Sequence, residues 1–161
     1  MSTLSLFIDG SVNPKTKVGY GAYLSFIGPI PSLSFLQTQL QLRRFEATSS
    51  TQLELQNLIS ALEAVRGKAT HFLIYTDSQH IIRLLARRSR LEENNYFSKK
   101  GKRLKQADLY QAFYRLIDQL SCDFVKLKGH QASHQKETID QIFTLVDKAA
   151  RVAIRQDQPA I

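Results

Sequence analysis

The feature that most constrains this chain is a change of hydrophobic period along its length. Leu4 to Ile8 is a short apolar run ending at Asp9, and Val18 to Ile27 is a second run rich in strand formers. Asn13-Pro14 marks a turn between them, and Gly19 and Gly21 mark close backbone approach or a bulge. Gly28-Pro29 and Pro31 end the second run, and the loose alternation of Gln39 to Thr48 adds a third strand to an antiparallel meander. From Thr51 to Arg66 the period becomes helical, with Leu55, Leu58, Leu62 and Val65 on one stripe and Gly67 as the stop. Phe72 to Thr76 reads as a buried strand ending at Asp77, followed by a short helix through Ile81, Ile82 and Leu85. A helix from about Ala107 to Leu120, a strand from Phe124 to Leu127 and a helix from about Ile139 to Ile154 complete the series. Strands and helices in this order predict one α/β domain with a mixed sheet, and a frayed tail from Asp157 to Ile161.

Composition excludes several classes. A chain of 161 residues, 43% hydrophobic and 22% charged, suits one globular domain. No basic stretch with a long apolar run opens it, so no signal peptide is expected. No apolar run approaches the roughly 20 residues of a membrane span. The lone Cys122 allows no internal disulfide and no cysteine zinc site, which fits a reducing, cytoplasmic setting. The formal charge of +8 favours a polyanionic partner. Most of it is local: Arg87, Arg88, Arg90, Lys99, Lys100, Lys102, Arg103 and Lys105 face only Glu92 and Glu93 in the same stretch.

Two segments share one design. In Leu6-Phe7-Ile8-Asp9-Gly10-Ser11 and Leu73-Ile74-Tyr75-Thr76-Asp77-Ser78, an apolar strand delivers an Asp at its carboxyl end and small polar residues turn the chain. Ligands of α/β sheets bind beyond such strand ends. If the strands are parallel neighbours, Asp9 and Asp77 stand side by side and repel unless a cation, such as a divalent metal, lies between them. Either Asp alone is a strand-end turn cap. Glu54, in Thr51-Gln52-Leu53-Glu54, fits a capping box at the start of its helix, and on residue chemistry alone the cap is the stronger reading. Asp147 sits beside Val146 on the apolar stripe of the last helix, balanced between a ligand role and pairing with Arg151 four residues on. Asp140, seven residues earlier, is its rival.

Together these segments resemble ribonuclease H of the cellular and retroviral type. The matching motifs are Asp9-Gly10-Ser11 with Gly19-Tyr20-Gly21-Ala22, Leu53-Glu54-Leu55, Thr76-Asp77-Ser78-Gln79, Lys128-Gly129-His130 and Asp147-Lys148-Ala149-Ala150-Arg151. Each is short and weak alone, but they occur in the family's order across nearly the whole chain. The resemblance implies a ribonuclease H-like fold: a mixed five-stranded sheet, three strands in an antiparallel meander and two parallel, flanked by helices, with residues 1–156 as the catalytic domain. It implies an endoribonuclease that cuts the RNA strand of RNA–DNA hybrids and leaves 5′-phosphate and 3′-hydroxyl ends.

The family's acidic positions carry over as Asp9, Glu54, Asp77 and Asp147. The resemblance implies that Asp9 bridges two divalent ions, with Glu54 and Asp77 on one side and Asp147 on the other. Carboxylate oxygens suit Mg²⁺, with Mn²⁺ an alternative. His130 matches a loop histidine that moves a proton or helps release product; otherwise it is a plain surface histidine. Asn13, Ser50 and Gln79 match minor-groove contacts, and Lys99, Lys100 and Lys102 fall where family members carry a basic handle, here with Tyr96-Phe97 in place of tryptophans. Two departures stand out. The spacing from His130 to Asp147 exceeds the commonest family spacing and leaves Asp140 in contention, and Ser49-Ser50-Thr51-Gln52 lacks the family's usual Thr-Asn-Asn-Arg, so the DNA-phosphate pocket is built differently. The expected partner is an RNA–DNA hybrid, bound by a monomer with no membrane and no room for a separate hybrid-binding domain. Rival readings are another nuclease of the same superfamily, which the helix glutamate and the Lys-Gly-His loop argue against, and a binding module that lost activity, which four retained acids argue against.

Overall fold

Strand β1 (Thr3–Asn13) is the spine of the sheet, because its side chains alternate between two hydrophobic faces. In the computed structural model, which describes residues 2–128 and 137–157, β1 pairs antiparallel with β2 (Val18–Ile27) and parallel with β4 (His71–Thr76). Strand β3 (Gln41–Phe45) extends the meander beyond β2, and β5 (Cys122–Lys126) adds a second parallel pair beside β4. The order is β3-β2-β1-β4-β5, the mixed five-stranded sheet that the sequence predicts.

Leu4, Leu6 and Ile8 enter one core, under α2 (Ser50–Val65), α3 (Gln79–Glu93) and α4 (Ala107–Gln119). Phe7 enters the other, with Ala22 and Leu24, under α5 (Thr138–Gln156). There the Phe7 ring stacks on Tyr75 of the neighbouring strand, centroids 4.3 Å apart. Each fully buried side chain of this size contributes roughly 1.5–3 kcal/mol, so the two faces clamp β1 between them.

Several boundaries differ from the sequence reading. β1 does not end at Asp9: pairing with β2 carries it on to Asn13, while the parallel pairing with β4 stops at Phe7↔Tyr75. β3 is shorter than Gln39 to Thr48. A helix unread in the sequence, α1 (Leu33–Thr38), follows Pro31; Ser32 caps it, its Oγ accepting from the Phe35 N–H at 3.2 Å. Six residues are too few for a helical period to show. The short helix after Asp77 is in fact α3, 15 residues long, and it takes in Arg87, Arg88 and Arg90. Asp157, placed in the tail by the sequence reading, accepts hydrogen bonds from the Tyr20 hydroxyl and Arg44 Nε, both at 2.6 Å. Residues 158–161 lie outside the described residues.

Candidate active site

The β1–β4 register puts Asp9 and Asp77 side by side. Both lie two residues beyond the pair Phe7↔Tyr75, on the sheet face that Phe7 and Tyr75 occupy. That is the α5 face, and α5 brings Asp147 to it. Asp9 is hydrogen-bonded to Asp147 and lies within electrostatic reach of Asp77. Burial first, then the charges of Asp77 and Asp147, together push the Asp9 carboxyl far above its ordinary range, to about 8, against a lowering hydrogen bond from the Gly10 N–H. Two carboxylates in contact must share a proton or hold a cation between them.

Glu54 comes from the other side of the sheet. It is not the capping residue that the sequence suggests: α2 begins one residue earlier, and Ser49 caps it, accepting from the Gln52 N–H at 3.3 Å. Glu54 therefore lies in the second turn, where its Oε2 accepts a hydrogen bond from Ser78 Oγ at 2.7 Å. Burial raises its pKa and Asp77 adds to the rise, while Ser78 lowers it. Ser78 is itself buried, and its Oγ accepts from the Ile81 N–H at 3.1 Å as the N-cap of α3. In sequence Ser78 reads only as a small polar residue that turns the chain after Asp77; its place directly before a helical run is the signal for a cap.

The rivals on α5 separate cleanly. Asp140 sits in its first turn and closes a capping box, accepting from the Glu137 N–H at 3.3 Å. Asp147, about two turns further on, meets Asp9 and also receives Arg151 Nη2 at 2.8 Å on its Oδ2. The structure thus pairs Asp147 with Arg151 and at the same time sets it against Asp9.

The remaining candidates lie around this centre. Asn13 ends β1 and its Oδ1 accepts from the Lys15 N–H at 2.9 Å, a turn cap. Ser50 is exposed at the start of α2, in a hollow shared with Val12, Pro14, Lys17, Thr48 and Ser49. Lys17, which the sequence reading did not single out, puts a cation there. Gln79 is exposed at the first position of α3. Lys99, Lys100 and Lys102 are exposed on the loop after α3, the length of that helix (about 20 Å) from Gln79. Arg88 and Arg103 belong to the same basic stretch but are engaged. Arg88 forks onto Asp118 at 2.7 and 2.6 Å, reaches Glu92 at 2.6 Å and covers the Tyr114 ring, while Arg103 pairs with Asp108 at 2.8 Å. His130 lies outside the described residues.

Among the described residues no group of three or more His, Cys, Asp or Glu side chains is gathered tightly enough to hold an ion as it stands. The carboxylates are linked in pairs instead: Asp9 with Asp147, Asp9 beside Asp77, and Glu54 beside Asp77. The donor set nonetheless fits a hard divalent cation, since it is all carboxylate and the rise that burial and neighbouring charges impose on Asp9 is one that a cation reverses. No helix among the described residues is long and apolar enough to cross a membrane.

A mixed sheet with acids from β1, α2, β4 and α5 around the end of the parallel pair defines a ribonuclease H-like fold. A family model described as RNase H matches residues 1–151. Curated relatives named Ribonuclease H include that of Treponema pallidum, 26% identical over 94% of both chains, and that of Chlorobium phaeobacteroides, 28% identical over 92% of this chain and 97% of its own. Among solved structures, one of the foamy viral protease-reverse transcriptase in complex with dsDNA superposes with a TM-score of 0.64 at 11% identity, covering 94% of each chain, a likeness of fold alone. The chain belongs to the RNase H family and is a ribonuclease H enzyme.

Proposed function

We propose that residues 1–156 hydrolyse the RNA strand of RNA–DNA hybrids internally, with two Mg²⁺ ions (Mn²⁺ as substitute), leaving 5′-phosphate and 3′-hydroxyl ends. The observation that carries this reading is the half-buried Asp9, with Asp77 and Asp147 on the same sheet face and Glu54 beside Asp77. Asp9 would bridge, Glu54 and Asp77 would hold one ion, and Asp147 the other. Bound there, divalent ions supply Lewis acidity for in-line displacement at phosphorus. Ser78 orients Glu54 through its hydroxyl, and Arg151 holds Asp147 on the Asp9 side of α5. Lys17 and Ser50 would receive a phosphate of the DNA strand in place of the family's usual residues, with Asn13 and Gln79 in the minor groove. His130 would move a proton or release product. Lys99, Lys100 and Lys102 would grip phosphates and make affinity salt-sensitive.

The test is a labelled hybrid with Mg²⁺, against duplex RNA and duplex DNA. Internal cleavage of the RNA strand alone, lost in Asp9→Asn and Asp147→Asn, is the expected result. Tight hybrid binding with no cleavage in Mg²⁺ or Mn²⁺ would refute the proposal and leave a binding module.

A further inference from the structure

Asn57 is a polar side chain only 3% exposed on the inner face of α2. Its Nδ2 donates to the carbonyl oxygen of Asp9 at 3.0 Å and to that of Ala22 at 3.1 Å. Asp9 and Ala22 face one another across the β1–β2 ladder, so one amide group ties both strands at the register position that carries Asp9. Both partners are carbonyls, so chemistry fixes which end of the amide faces the sheet. Gly21 supplies the room. A Cβ there would lie 2.3 Å from Asn57 Oδ1 and 2.8 Å from its Cβ, so no side chain fits while Asn57 stays where it is.

An apolar residue could fill this contact without the desolvation cost of an amide. Strand pairing does not depend on Asn57 either, since the β1–β2 register runs from Leu4↔Ile27 to Asn13↔Val18. What the amide adds is a link between Asp9 and Glu54. Glu54 precedes Asn57 by three residues on the same helix, one rigid turn away. Asn57 grips the backbone of Asp9 from the α2 face, while the Asp9 carboxyl leaves by the α5 face towards Asp147.

We infer that Asn57 is a positioning residue: by fastening the Asp9 peptide to the helix that carries Glu54, it sets the spacing of the two carboxylates on which metal binding depends. The inference rests on the reading of Asp9 and Glu54 as metal ligands. Metal sites tolerate little displacement of their ligands, and loss of a supporting hydrogen bond typically weakens binding 10- to 100-fold.

The experiment compares Asn57→Ala with Val65→Ala, which loosens the same helix two turns from Asn57. Mn²⁺ affinity by calorimetry, kcat and KM on a hybrid, and thermal unfolding are measured for both. Asn57→Ala should bind Mn²⁺ about tenfold more weakly, with a reduced kcat and an unchanged KM. Val65→Ala should lose thermal stability with Mn²⁺ affinity intact. Asn57→Ser keeps one donor, should fall between wild type and Asn57→Ala, and carries the test if the alanine variant does not fold. Wild-type Mn²⁺ affinity and kcat in a folded Asn57 variant overturn the inference, whatever its melting temperature. Asp9→Asn separates the two levels. If it abolishes Mn²⁺ binding while the Asn57 variants change nothing, only the role of Asn57 falls; if it leaves Mn²⁺ binding and cleavage intact, the reading of the carboxylates falls and takes this inference with it.

Discussion

Replacing Ser78 by Ala removes two hydrogen bonds made by one oxygen. Oγ accepts from the Ile81 N–H and so caps α3, and it donates to Glu54 Oε2. Losing a Ser cap costs about 1 kcal/mol. A hydrogen bond to a charged acceptor contributes about 1.5–3 kcal/mol, and the low end applies because Glu54 is only half-buried. The sum at neutral pH is about 2.5 kcal/mol, which for a domain of this size lowers Tm by roughly 5–10 °C. The cost depends on pH. Burial raises the Glu54 pKa above its unfolded value, so its charge destabilises the native state increasingly as pH climbs past that value, and Ser78 offsets part of this. Without Ser78 the pKa rises further. The gap between wild type and variant is therefore largest above the folded pKa of Glu54 and shrinks to about 1.5 kcal/mol, the cap and a neutral bond at the low end of its range, once Glu54 is protonated in both. Asp9 titrates in both proteins and cancels to first order. Thermal or urea unfolding in chelator, from pH 3.5 to 7.5, measures the gap, with Ser78→Thr as a control that keeps the hydroxyl. A loss that stays constant across this range would refute the assigned bond between Ser78 and Glu54.

Three further outcomes follow from the same geometry. Asp140→Asn should cleave hybrids like wild type, with Asp140→Ala costing about 1 kcal/mol through its capping box; loss of cleavage in Asp140→Asn would move the fourth ligand away from Asp147. Mg²⁺ binding at pH 7 should release protons, because the Asp9 carboxyl, raised to about 8, is mostly protonated there without a cation; calorimetry in two buffers of different ionisation enthalpy reads the number, and zero release would contradict the raised pKa. Lys99→Ala, Lys100→Ala and Lys102→Ala should each flatten the salt dependence of hybrid binding by about one unit of slope, whereas Arg88→Ala, whose charge is taken up by Asp118 and Glu92, should lower Tm and leave the slope unchanged.

The meander, the helix after it, the two parallel strands and the last helix were all legible in the sequence, because periods of 2 and 3.6 are local properties of apolar spacing. Asp9 and Asp77 were legible as a pair because the two strands repeat one design. Where β1 stops was not legible, since a strand continues as long as a partner pairs with it, and β2 keeps pairing to Asn13. The Glu54 cap was misread for a similar reason: Ser49 and Thr51 are both acceptable caps in sequence, and only the path of the chain selects Ser49. Asp140 and Asp147 share nearly one helical stripe, so helical period alone does not separate them and only the Asp147-Lys148-Ala149-Ala150-Arg151 motif favours Asp147; the packing of α5 on β1 brings Asp147 to Asp9 and leaves Asp140 capping its helix. Asn57 and Gly21 lie 36 positions apart and mean little separately. Their fit exists only once α2 lies on the sheet, because complementarity between distant residues is made by tertiary packing and not by any local pattern.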